Sequence, residues 1–130
     1  CMQNHDIVAQ WLQFAEDDLR TAKYLLDLYP RPLEIICYHC QQAVEKGLKG
    51  LLIAFGVQLI KTHDLGLLAE RLAEFTDIDE SLLDACDSLT PYGVRVRYPQ
   101  EIAVDERHAI IALENAEKFF TWLQSIKDEL

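Results

Sequence analysis

Glycine and proline interrupt this chain at only a few places, and between those places the apolar residues recur at spacings of three and four. The sequence holds five glycines and four prolines in 130 residues. Pro30 and Pro32 bracket Arg31, Gly56 follows a long periodic run, and Pro91, Gly93 and Pro99 mark a loop of about ten residues. The segments between them have the period of helices. The first runs from about Asp6 to Leu28, with Trp11, Ala15, Leu19, Ala22, Leu26 and Tyr29 as its stripe. The second runs from Leu33 to Phe55. The third runs from Asp64 to Phe75, with Leu65, Leu68, Leu72 and Phe75 inward. The fourth, Asp79 to Leu89, turns Leu82, Cys86 and Leu89 inward. The fifth, Asp105 to Lys127, carries Ala109, Ala112, Ala116, Phe120 and Leu123, with Phe119 beside them. Asp64, Asp79 and Asp105 stand where capping acids favour the positive end of a helix dipole. Val94 to Tyr98 alternates like a strand, but prolines bound it and no partner strand exists. The expectation is an all-α, up-and-down antiparallel bundle of four to five helices, in one domain with its core over about residues 6–127.

Half the residues are hydrophobic, enough for one core. No apolar run reaches about 18 residues, and no basic segment leads into an apolar one, so neither a membrane span nor secretion is expected. The formal charge of −10 disfavours generic DNA or RNA coating, which needs surplus Lys and Arg, but permits a local basic pocket. Cys1 precedes Met2 and carries no weight. Cys37, Cys40 and Cys86 lie in apolar surroundings, as buried reduced thiols of a cytoplasmic protein do. Cys37 and Cys40 form a C-x-x-C, but a zinc site needs about four ligands and no second pair exists, so no metal or cofactor is expected.

The second helix separates into three faces. Cys37, Val44, Leu48, Leu51 and Phe55 are ordinary core. Cys40, Ala43, Gly47, Gly50 and Ala54 make a stripe of small residues. A mid-helix glycine costs about 1 kcal/mol relative to alanine, so two on one face point to close approach of another helix, within the fold or across a dimer. His39, Gln42, Lys46 and Lys49 occupy the third face, with Tyr38 and Glu45 at its edge. That face is either solvated surface with a Glu45–Lys49 pair or part of a site. Regional charge bears on the choice. Residues 31–63 sum to +2, whereas residues 64–93 sum to −7. The following loop adds Arg95 and Arg97. Folded over the second helix, it would bring them to Lys46 and Lys49, a setting for phosphate, with Tyr98 or Tyr92 available to stack. Lys61-Thr62-His63-Asp64 opens the third helix, either as a capped start or with His63 near an anion at the helix N-terminus. Arg107-His108 opens the fifth, on its first turn.

The run Cys37-Tyr38-His39-Cys40-Gln41-Gln42-Ala43-Val44-Glu45-Lys46-Gly47-Leu48-Lys49 resembles the signature C-F/Y-x-x-Q-Q-A-x-E-K-x-L-K of the second helix of HEPN domains. Ala15, Asp18, Leu19 and Ala22 resemble the family's first helix, Lys61-Thr62-His63-Asp64-Leu65 its K-T-H-D-L, and Arg97-Tyr98-Pro99 its R-Y-P. The resemblance covers residues 7–126. It implies a small helical bundle that dimerises, similar to nucleotidyltransferase substrate-binding subunits. Many members partner a minimal nucleotidyltransferase or form half of a toxin–antitoxin pair, and nucleotide binding gave the family its name. Some are metal-independent ribonucleases with an R-x4-6-H motif. Here Arg97 is followed at positions 102–104 by Ile102, Ala103 and Val104, and Arg95 at positions 100–102 by Gln100, Glu101 and Ile102. His108 follows Arg97 with ten residues between, outside the motif.

The resulting expectation is a non-catalytic homodimeric module that binds a nucleotide or RNA-like anion and partners a minimal nucleotidyltransferase. Arg97, Arg95, Lys49 and Lys46 would hold phosphates, Tyr98 would stack, and Gln42 and His63 would add hydrogen bonds. One alternative is a ribonuclease toxin using Arg97 with His108 or His63 as acid–base. Another is a purely structural dimerisation module, in which the small-residue stripe meets a partner and Arg97 pairs with a carboxylate such as Glu45.

Overall fold

The computed structural model describes residues 2–93 and 103–130, whose regular elements are all helical. Five helices follow in order: α1 (Met2–Leu25), α2 (Leu33–Ala54), α3 (Leu65–Leu72), α4 (Glu80–Leu89) and α5 (Glu106–Lys127), with a 3₁₀ turn at Thr90–Gly93 after α4. No strand occurs among the described residues. The alternating segment at Val94–Tyr98 lies outside them.

Local chemistry sets most of the helix ends. Asp64, Asp79 and Asp105 are all N-caps, each accepting a hydrogen bond from the backbone three residues on, at Leu67, Leu82 and His108. α2 ends in a Schellman arrangement. Gly56 takes φ +86°, its N–H bonds Ile53 O at 3.0 Å, and Val57 N–H bonds Leu52 O at 2.9 Å. α1 stops three residues before the expected end because its last turn tightens, with Leu26, Asp27 and Leu28 bonding back only three residues. Arg31 then covers a leftover carbonyl, Leu26 O, through Nε at 2.8 Å. α3 is also shorter than expected, ending at Leu72.

α2 is the axle of the molecule. It packs against α1, α3, α5 and the 3₁₀ turn, while α4 closes against α3 and α5. Its two mid-helix glycines serve two different contacts. A Cβ on Gly47 would lie 2.5 Å from Phe119 Cε2 of α5, and one on Gly50 would lie 2.9 Å from Trp11 Cβ of α1. The small-residue stripe is therefore consumed inside the fold, apart from the exposed Ala54. That removes it as the face a partner would meet.

Three expected inward residues are corrected. Phe119, not Phe120, is the fully buried aromatic of α5. Tyr29 is exposed beyond the end of α1. Phe75 is exposed beyond the end of α3, where its ring stacks on Phe55 with centroids 5.4 Å apart.

Candidate functional site

The polar face of α2 divides between two carboxylates. Lys46, on one side, reaches α1, where Nζ lies 2.6 Å from Asp18 Oδ2. His39 Nδ1 meets the same carboxylate at 2.9 Å. Lys49, on the other side, is buried and lies 2.9 Å from Glu45 Oε2, one helical turn back. The two lysines expected to converge on one anion thus turn to different carboxylates.

Glu45 is the centre of the second cluster. Its Oε1 receives Gln41 Nε2 at 3.0 Å and stands 2.8 Å from His63 Nδ1. Gln41 Nε2 also donates to His63 O at 3.2 Å, and Gln41 Oε1 accepts from Gln42 Nε2 at 2.8 Å. The cluster ties the middle of α2 to the segment that opens α3. Burial raises the Glu45 pKa, but hydrogen bonds from Lys49, Gln41 and His63, with the Lys49 charge, outweigh it and hold the carboxyl below its usual value of 4.5. Bonds from the Leu82 and His108 backbone N–H groups likewise lower Asp79 and Asp105. A carboxyl depressed in the folded state stabilises it above the unfolded value, and that contribution disappears as pH falls through the folded value. Melting temperature is therefore expected to be level above about pH 5 and to fall steeply below about pH 4. Thermal melts across that range check this, and Glu45→Gln should flatten the acid limb.

The sequence had marked His63 as either locally bonded or beside an anion at a helix N-terminus. Its partner is instead Glu45, eighteen positions away. The α3 N-terminus is already occupied, since Asp64 Oδ1 accepts from Leu67 N at 3.2 Å and Thr90 Oγ1 from Leu65 N at 3.1 Å. His108 belongs to a capping box with Asp105, its Nδ1 accepting from Asp105 N at 3.1 Å. It stands where the glutamate of the usual box would, a D-x-x-H spacing that was visible in the sequence. Arg95, Arg97 and Tyr98 lie outside the described residues. The chain reaches that segment at Gly93, where a Cβ would sit 3.0 Å from Gln41 Nε2. Gly93 thus stands against the Glu45 cluster. Gln41 and Asp18 were missed as site-building residues. Gln41 is fully buried, and a polar residue on a core-facing arc of α2 was the available signal.

Cys37, Cys40 and Cys86 are buried and form no disulfide among the described residues. Burial pushes the Cys40 thiol far up, and burial with the nearby Asp87 charge pushes Cys86 up to about 12. Neither is a nucleophile at neutral pH. Among the described residues no group of three or more His, Cys, Asp or Glu side chains is placed to hold a metal ion. Nor is any helix there long and apolar enough to cross a membrane.

The HEPN domain model matches residues 8–126. The chain belongs to the HEPN family. The HEPN chain is 31% identical over 97 residues to "Putative toxin MJ1304" of Methanocaldococcus jannaschii, covering 69% of this chain and 62% of that protein. It therefore spans somewhat under two thirds of that relative's length. Among solved structures, TT1696 from Thermus thermophilus superposes with a TM-score of 0.80 at 31% identity, covering 91% of this chain and 96% of that one. ST0689, described as an archaeal HEPN homologue, superposes with a TM-score of 0.72 at 26% identity, covering 91% and 95%.

Proposed function

We propose that this HEPN chain is a non-catalytic, toxin–antitoxin-type module that binds a nucleotide or RNA-like anion and acts as partner to a minimal nucleotidyltransferase, itself forming a homodimer. The observation that carries this reading is the contact of Gly93 with Gln41. Gly93, the last described residue before Arg95 and Arg97, stands beside a hydrogen-bonded cluster whose outermost member, His63, is exposed. In this reading Arg97 and Arg95 hold phosphate, Tyr98 stacks, and His63 and Gln42 supply hydrogen bonds. Lys49 and Lys46 act from behind, neutralising Glu45 and Asp18 so that the site is not lined by bare carboxylates. The toxin designation of the Methanocaldococcus relative agrees with such a module.

The ribonuclease alternative has less support. An in-line cleavage of RNA needs a free base and acid beside the phosphate. The R-x4-6-H spacing is missing and His108 is held in its capping box.

A thermal-shift titration with ATP, AMP and a short single-stranded RNA tests the reading. A ligand at about 100 times its dissociation constant stabilises by roughly 2.7 kcal/mol, which raises the melting midpoint by several degrees. The expected result is a shift with at least one ligand that disappears in Arg97→Ala. A protein indifferent to all three ligands would leave only the interaction module.

A further inference from the structure

We propose that His63 is the group through which this protein engages a phosphate-type oxyanion, and that it carries one proton into the complex as it does so. This rests on the anion-binding reading above and specifies its chemistry. The ring is held by one edge. Nδ1 lies 2.8 Å from Glu45 Oε1, the His63 side chain is 73% exposed, and the Glu45 side chain is 6% exposed. No described residue makes a hydrogen bond to the other edge, so Nε2 is left for solvent or ligand. In the neutral ring Nδ1–H donates to the carboxylate and Nε2 presents a lone pair, which repels an oxyanion. One proton on Nε2 makes that edge a charge-assisted donor.

The charge balance around the ring makes the proton decisive. Glu45 alone would cancel an imidazolium. Lys49, however, sits on the other carboxylate oxygen at 2.9 Å and is buried with it. The Glu45–Lys49 pair is neutral, so protonation of His63 leaves the cluster with one net positive charge at the surface. From α2 the ring meets Glu45, whose far oxygen holds Lys49, while the neutral Gln41 donates to the His63 carbonyl. The segment before α3 adds the exposed Lys61, and Asp64 with its carboxylate turned to Leu67 N. α4 contributes Asp87, packed against Gly66. The 3₁₀ turn, Thr90-Pro91-Tyr92-Gly93, contributes no charge. With Asp64 and Asp87 close by, Lys61 alone leaves this surface short of positive charge, and the protonated ring supplies it. A nucleotide and an RNA backbone offer the same phosphate oxygens.

The test is an NMR titration following the His63 ring signals with sulfate, AMP and a short RNA, from about pH 5.5 to 8. Sulfate and phosphodiesters do not titrate there, whereas the AMP phosphate does near pH 6, so the first two isolate the protein's own proton. The expected result is that each ligand moves the His63 signals, and that sulfate and RNA bind more weakly as pH rises across that range. His63→Gln, at an exposed position, should remove the pH dependence while the protein stays folded. Tighter binding of RNA than of AMP at one pH identifies the source as a nucleic acid, and the reverse identifies a nucleotide. Ring signals that ignore the ligands, or a pH slope that survives in His63→Gln, overturns the proposal. Binding that is flat with pH yet lost in Arg97→Ala would overturn the role of His63 and keep the anion site. No response to any ligand would overturn both.

Discussion

Glu45→Ala is expected to lower the free energy of unfolding by roughly 3–5 kcal/mol, because it leaves the Lys49 ammonium buried without its counter-charge. The side chains of the pair are 9% and 6% exposed, so solvent does little to replace the lost partner. The variant also strips Gln41 and His63 of a shared acceptor. Domains of this size are stable by about 5–15 kcal/mol, so this one substitution brings the protein close to unfolding. Replacing both charges with apolar side chains of similar volume, as Glu45→Leu with Lys49→Met, should recover most of the loss, since the desolvation cost then disappears with the charges. Urea unfolding of the two variants separates the outcomes. A loss below about 1 kcal/mol in Glu45→Ala would place the pair among solvent-screened surface bridges and contradict its burial.

Phe119→Ala is the second large effect, at roughly 3–5 kcal/mol, because it empties the space that α5 fills against Gly47. The glycine itself gives a more discriminating experiment. In a free helix Gly→Ala gains about 1 kcal/mol. Here the new methyl would sit 2.5 Å from the Phe119 ring, and overpacking of this kind costs about 1–3 kcal/mol. Gly47→Ala should therefore destabilise the native protein and stabilise the Phe119→Leu variant, whose smaller side chain leaves room. The opposite sign in either background would mean that α2 and α5 are not this close. If Gly47→Ala instead left stability unchanged and altered self-association, the stripe would face a partner.

The helices were legible because their signals are local. The three aspartate caps and the glycine after α2 act within a turn or two and appeared where their spacing placed them, as did most of the apolar stripes. α1 begins at Met2, earlier than the Asp6 expected, and the helix ends after Leu25 and Leu72 are places where a tightened turn replaces the last α-helical bonds, which periodicity does not register. The aromatic of α5 was misassigned because Phe119 and Phe120 are neighbours, and only the groove opened by Gly47 selects Phe119. The family was legible in the α2 signature for the same reason as the helices, since its residues are contiguous.

The site was harder. His39, Lys46 and Lys49 share one arc of a helical wheel, and the wheel says nothing about what stands opposite. Asp18 from α1 takes Lys46, while Glu45, tied to the opening of α3, takes Lys49. Glu45 looked like an edge residue of a solvated face, whereas the chain uses it as a buried hub. Pairing across eighteen to twenty-eight positions, as in His63 with Glu45 or Lys46 with Asp18, leaves no trace in local spacing.

If α2 spends its lysines inside the fold while the loop arginines meet the ligand, the two kinds of cation must differ in what their loss does to binding. Equilibrium binding of a short labelled RNA to the native protein, Lys46→Gln and Arg97→Ala tests this most directly. The predicted result is affinity within about twofold of native for Lys46→Gln and a loss of tenfold or more for Arg97→Ala, since one charge-assisted phosphate contact is worth about 1.5–3 kcal/mol. Equal losses in both variants would place Lys46 on the ligand and contradict that division of roles.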